Sequence, residues 1–136
     1  MIPKTKENTL YLPIKQVYFD QIIAGTKKEE YREVKQGVTS SRYLQKKDGK
    51  FVKNKLVTSP MKEYYIDDYN DGHFPFVPKD IKYLDLAVGY AKDRDTATVE
   101  VTHITFEAAR VFNNKIAWWV AVFHLGNVID LYRKQR

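Results

Sequence analysis

The stretch Ala24-Gly25-Thr26-Lys27-Lys28-Glu29-Glu30-Tyr31-Arg32-Glu33 joins two hydrophobic periods, and its reading decides the fold. On its N-terminal side Ile14, Val17, Tyr18 and Ile22 recur at three- and four-residue intervals, with Phe19 and Ile23 widening the stripe. That is the spacing of a short amphipathic helix. Gly25 follows the last apolar position, where a glycine can take the left-handed conformation that ends a helix. Beyond the turn the period drops to two. Glu30, Arg32 and Val34 then share one face of a strand, and Glu29, Tyr31 and Glu33 the other. A lysine in the turn, with a carboxylate and a guanidinium side by side on the next strand, makes a compact polar cluster. This cluster is the candidate working site.

Upstream, Met1 to Asn8 is polar and expected to fray. Thr9 to Leu12 reads as a strand with Leu10 and Leu12 inward, closed by Pro13, which cannot donate to a ladder. Lys15 or Gln16 makes a poor helix N-cap, so packing must hold the helix. Downstream, the last half is β-rich. Leu84, Leu86, Val88 and Tyr90 alternate with Asp85 and Ala87, and Ala97, Val99 and Val101 with Thr98, Glu100 and Thr102. The polar turn Ala91 to Asp95 makes these an antiparallel pair. The apolar phase then shifts to Ile104 and Phe106, which predicts a bulge or bend near His103. Ile116 to Leu125 is apolar on both faces, suits a strand covered on both sides, and is expected to end at Gly126.

Between Lys35 and Lys79 the pattern weakens. Ser40 or Ser41 can cap a short helix through Lys46, while Asp48-Gly49 is a strong hairpin turn; the helix is the preferred reading. Charge is lopsided here: Arg42, Lys46, Lys47, Lys50, Lys53, Lys55 and Lys62 face Asp48 alone, and Glu63, Asp67, Asp68 and Asp71 follow. A connection of this length is often a functional loop, although two mutually neutralising solvated strips explain it equally well. Asp67 to Gly72 imitates a calcium loop but fails on spacing, because Tyr69 falls where an oxygen ligand is needed and Pro78 where the closing glutamate belongs. The remainder, Gly72 to Lys79, reads as extended and irregular.

Gly25-x-Lys27-x-x-Glu30-x-Arg32, set between a helix and a strand, resembles the signature of ASCH-domain proteins, a branch of the PUA-like superfamily. Ala87-Val88-Gly89-Tyr90-Ala91-Lys92-Asp93-Arg94-Asp95 through Val101 also looks like that family's central hairpin. The resemblance covers the first third and last half of the chain. It implies a single domain over residues 1–136, α+β in class: a small, partly open β-barrel of five or six strands with one or two short helices and a long irregular insertion at about 35–80. It further implies a cleft between helix and barrel, floored by Lys27, Glu30 and Arg32, that takes RNA or a nucleotide.

Composition agrees with a globular chain. Its 136 residues are 43% hydrophobic, 14% aromatic and 29% charged, enough for a genuine core. No apolar run approaches the roughly 20 residues of a membrane helix, and the first residues lack the apolar stretch of a signal peptide. A cytoplasmic protein that engages no membrane is expected. Cysteine is absent, which removes disulfides, thiolate metal sites and cysteine nucleophiles. The net charge of +6 favours polyanionic partners, though solubility alone also explains it.

The roles follow from residue chemistry. Lys27 and Arg32 suit phosphate contact, Glu30 suits base-edge acceptance, and Tyr18 or Tyr90 suits stacking, with Lys92, Arg94 and the basic strip from Arg42 to Lys55 extending the backbone track. The plainer reading is a surface ion-pair cluster and an ordinary charged turn in which Asp93 and Asp95 cancel the cations. The rival function is hydrolysis. Some ASCH relatives resemble amidohydrolases of acetylated cytidine that use a lysine equivalent to Lys27, a threonine three residues on and a later glutamate. Here Glu30 stands in the threonine's place, which leaves Lys27 and Glu30 as catalytic candidates for water-mediated hydrolysis. Other relatives resemble ribonucleases, which keeps RNA hydrolysis among the alternatives. Coactivator-associated eukaryotic members suggest an interaction role, which no residue here supports specifically. His73, His103 and His124 show no metal-ligand spacing, and His124 is expected to be a hydrogen-bonded core histidine. No metal and no cofactor is expected.

Overall fold

A computed structural model describes residues 2–34, 42–52, 77–112 and 115–135. Its elements run β1 (Thr9–Ile14), α1 (Gln16–Ala24), β2 (Glu29–Val34), β3 (Lys46–Lys47), β4 (Lys50–Phe51), β5 (Tyr83–Val88), β6 (Thr96–Phe112) and β7 (Lys115–Tyr132). Five strands form one open mixed sheet in the order β1-β5-β6-β7-β2, and β3 and β4 form a separate two-stranded sheet. With one helix among the described residues, the chain is α+β in class. None of the helices described is long and apolar enough to cross a membrane.

The chain divides into two compact units. The first comprises Met1–Glu30, Asp80–His103 and Phe123–Arg136. Its frame is the parallel pairing of β1 with β5, in register from Thr9↔Tyr83 to Ile14↔Val88. β5 pairs antiparallel with β6, from Tyr83↔Glu100 to Ala87↔Thr96. Leu10, Leu12 and Ile14 on β1, Leu84 and Leu86 on β5, and Ala97, Val99 and Val101 on β6 are buried with Phe19 and Ile22 of α1. Each large side chain so buried contributes roughly 1.5–3 kcal/mol.

The structure corrects several sequence expectations here. Pro13 does not close the first strand but lies inside it, opposite Ala87. β1 is an edge of the sheet, where a missing N–H costs no ladder bond. The N-terminal segment is not frayed. Thr5 N donates to Asn8 Oδ1 (2.8 Å), Asn8 N to Thr5 Oγ1 (3.2 Å), Lys4 pairs with Asp85 (3.0 Å), and the Tyr83 hydroxyl donates to the Ile2 carbonyl. The apolar stripe of α1 is narrower than its spacing suggests. Phe19 and Ile22 are buried, but Val17 and Tyr18 are exposed; the helix packs on β5. Gly126 does not end β7, which runs on to Tyr132. A Cβ at Gly126 would lie 3.3 Å from both Glu100 Cβ and Thr102 Cγ2, so this glycine admits a close cross-strand neighbour.

The second unit comprises Tyr31–Lys79 and Ile104–Val122. Val34, Tyr43, Leu44, Trp119, Ala121 and Val122 are buried in it. Asp48 (φ 53°) and Gly49 (φ 80°) form the turn of the β3–β4 hairpin, so a hairpin over Lys46 to Phe51 stands where an irregular turn after a helix ending at Lys46 was expected. Two consecutive left-handed residues make the tight turn that matches strand twist, and an Asp-Gly pair supplies them cheaply. Leu44 bridges Pro78, with Gln45 N donating to the Val77 carbonyl (2.9 Å). The Ser40–Ser41 cap and the Asp67–Gly72 turn lie outside the described residues.

β6 runs as one strand from Thr96 to Phe112 through His103, and no inward alternation of Ile104 and Phe106 follows, since both are half-buried like Thr105 between them. Ala97, Val99 and Val101 alternate inward, then Thr102 and His103 are both exposed, and the first unit's stretch of β6 ends there. Ala121, Val122 and Phe123 are buried in succession, as a strand covered on both faces requires.

Candidate functional site

The helix–turn–strand forms where the sequence places it. α1 begins after Lys15, whose side chain makes no cap bond, and ends at Gly25 (φ 81°). Gly25 N donates to the Ile22 carbonyl (3.1 Å), and Thr26 N and Lys27 N both donate to the Gln21 carbonyl (3.0 and 3.1 Å). Those bonds wrap the turn under the helix end and hold Lys27 at its side. Lys28 is tied into the sheet through its carbonyl, which accepts from Leu125 N (2.9 Å).

In this frame the Lys27 ammonium lies 5.4 Å from the centroid of the Tyr18 ring and 3.9 Å from Glu30 Oε1. Glu30 is buried, at 5% exposure. Tyr18, exposed along one face, is thus not a core residue but the aromatic wall of the cluster. A cation on an aromatic face beside a buried carboxylate is held by both, and such stacking strengthens as water is removed. Thr26 Oγ1 donates to the Gln21 carbonyl (3.2 Å), so this hydroxyl serves the helix end. Arg32, two residues along β2 in the second unit, is half-buried, and its Nη1 donates to the Tyr31 carbonyl (2.7 Å). The alternation along β2 is as read: Glu30 and Val34 buried, Arg32 half-buried, Tyr31 and Glu33 exposed.

The β5–β6 turn contains the other candidates. Tyr90 lies outside the strand that its alternation with Val88 suggests. Gly89 takes a left-handed conformation (φ 67°) and turns the chain, leaving Tyr90 87% exposed. A cavity of about 470 Å³ lies between Tyr90 and the β1–α1 junction at Pro13–Gln16. Lys92 is exposed, and Arg94 Nη1 donates to the Gly89 carbonyl (3.3 Å).

Of the turn's two acids, Asp95 is paired with a cation from outside the turn. Asp93 accepts from the Tyr132 hydroxyl (2.6 Å). Asp95 is buried and accepts from Gln16 Nε2 (2.9 Å), Arg133 Nη1 (2.9 Å) and Lys134 N (2.8 Å). Arg133 also donates to Asp20 (2.8 Å) and lies 5.2 Å from the Phe19 ring. Its bonds to Asp20 and then Asp95 raise the guanidinium's pKa further above its ordinary value. The bond to Asp93 raises the Tyr132 phenol above its usual 10.0, with desolvation and the Asp93 and Asp95 charges acting the same way.

This clasp of Gln16, Asp20, Asp95 and Arg133 ties α1, the turn and the end of β7, and sequence reasoning missed it. Its members stand up to 113 positions apart, and no local pattern relates them. His103 and His124 are likewise brought together, stacked at 4.0 Å with rings 2° from parallel. His124 is half-buried beside that partner rather than enclosed in the core as expected. Among the described residues no group of three or more His, Cys, Asp or Glu could hold a metal ion.

No protein-family model matches this chain, and comparison with curated proteins and with solved structures finds none similar to it.

Proposed function

We propose that the protein is a nucleic-acid-binding module of ASCH type, for single-stranded RNA or an unstacked nucleotide. In this reading the sheet curls into the partly open barrel of that family. The observation that carries it is the Lys27 ammonium poised over the Tyr18 ring beside the buried Glu30 carboxylate. One cluster thus offers a cation for phosphate, an aromatic face for a base, and an acceptor for a base amino group. Arg32 would add a second phosphate contact. Tyr90, exposed beside a cavity with Lys92 and Arg94 on the same turn, offers a second stacking platform. The pairing of Asp95 with Arg133 leaves Asp93 as the turn's one acid beside Lys92 and Arg94.

Fluorescence anisotropy with a labelled single-stranded RNA tests it. Neutralising three phosphates predicts that affinity falls about tenfold or more between 50 and 200 mM salt. Arg32→Ala and Lys27→Ala should each weaken binding more than Lys46→Ala or Lys47→Ala in the basic hairpin. Salt-insensitive binding, or no binding to any RNA or DNA, would refute the reading.

The burial of Glu30 beside Lys27 favours one alternative, a small hydrolase of a modified nucleoside or of RNA. Glu30 would activate water and Lys27 would steady the developing oxyanion. Thr26 is unsuited to act as nucleophile, since its hydroxyl is bonded to the helix end. Turnover of acetylated cytidine or RNA, lost in both Lys27→Ala and Glu30→Ala, would establish that alternative.

A further inference from the structure

A second pocket, in the first unit, lies on the outward face of β1, β5 and β6 and shares only Arg94 and Tyr132 with the reading above. Its volume is about 330 Å³, at the lower end of the range of small-molecule sites. The sequence makes this hollow. On the outward face Asp85 and Thr98 are partners across β5 and β6, and so are Ala87 and Thr96. These short side chains floor the pocket between two large ones, Tyr11 on β1 and Tyr132 at the end of β7. Lys4 from the N-terminal segment, Arg94 from the β5–β6 turn and Asp130 from β7 complete the wall.

The charges divide into those already satisfied and those still available. Asp85 accepts from Lys4 (3.0 Å) and from Thr98 Oγ1 (2.7 Å), so that pair is closed. Arg94 has only its 3.3 Å bond to the Gly89 carbonyl, and among the described residues neither Arg94 nor Asp130 forms an ion pair. The Tyr132 hydroxyl is engaged by Asp93, which steadies its ring at the rim. One guanidinium and one carboxylate, left over in a pocket of balanced charge with two tyrosine rings, fit a guest with one charge of each sign and an apolar body.

We propose that this pocket binds a free α-amino acid with an apolar side chain. The ligand carboxylate meets the Arg94 fork, the ammonium meets Asp130, and the side chain lies against Tyr11 and Tyr132. A nucleoside monophosphate fits less well, because its dianion would enter a pocket whose charges sum to zero. The proposal does not rest on nucleic-acid binding at Lys27.

Titration of the isotopically labelled full chain with L-phenylalanine, followed by amide NMR, tests it. Saturable shifts at Ala87, Thr96 and Thr98 are expected. Phenethylamine and 3-phenylpropionate, which lack one charge each, should bind about tenfold more weakly or worse. Arg94→Gln and Asp130→Asn should each cost L-phenylalanine about tenfold or more in affinity. The Asp130 side chain is exposed and has no hydrogen bond or ion pair among the described residues, so its variant keeps the native spectrum; RNA affinity should be unchanged in it. No saturation by about 10 mM L-phenylalanine, a Kd far weaker than useful recognition, would overturn the proposal. So would one-charge analogues binding equally well, tighter binding of adenosine monophosphate, or full affinity in the Asp130→Asn variant.

Discussion

Gly25 shows how one residue holds the candidate site in place. Its φ of 81° is in the left-handed region, and a Cβ built there meets nothing within 4 Å. The demand is therefore on the backbone alone. Gly25→Ala should destabilise the protein by about 1–2 kcal/mol, the cost of a left-handed conformation for an L-residue, and Gly25→Asn by distinctly less. Urea unfolding of the two variants checks this, and equal losses would show that space, not conformation, is limiting. This residue was legible in the sequence because a helix end and a glycine are both local signals. Tyr18 was legible only in part. Its spacing placed it on the helix, but which side of the stripe became buried depended on residues that come together in three dimensions.

Among the elements, local chemistry and long-range contact divide clearly. α1, β2, β5 and the start of β6 follow from period and turn residues. The β3–β4 hairpin was misread because a serine cap and an Asp-Gly turn competed over the same residues, and only the hairpin had a partner in hand. The end of β7 was misread because Gly126 resembles a terminator in sequence, whereas it is needed for close approach to Glu100 and Thr102. Beyond it, Tyr132 ties β7 to the β5–β6 turn through Asp93. That bond raises the phenol pKa, so folding favours the protonated form. Its contribution is complete below the unfolded value of 10.0 and is lost as pH rises through the higher folded value. The stability gap between wild type and Tyr132→Phe should be widest near about pH 8 and close above pH 10. Urea midpoints measured across that range check it, and a gap independent of pH would mean the bond does not form in solution.

For the whole molecule, the decisive contact is the parallel pairing of β1 with β5, in which Thr9 meets Tyr83 across more than half the chain. Three buried side chains, Leu10, Leu12 and Ile14, come with β1. Their burial is worth on the order of 5–9 kcal/mol in sum, comparable to the whole stability of a typical domain. Removing residues 1–14 should therefore abolish the cooperative thermal transition followed by circular dichroism. A truncated chain that still melts cooperatively would show that β5 to β7 form an independent core.

The sequence by itself determined the local conformations around Gly25, the alternation on β2, β5 and β6, and the chemistry available to any site, because these depend on neighbours a few residues apart. Only the tertiary structure decided that Asp95 serves Arg133, that His103 stacks on His124, and that Arg94 and Asp130 share a hollow with two tyrosines. Those pairings are set by strand order and register, which follow from how distant apolar faces are buried together.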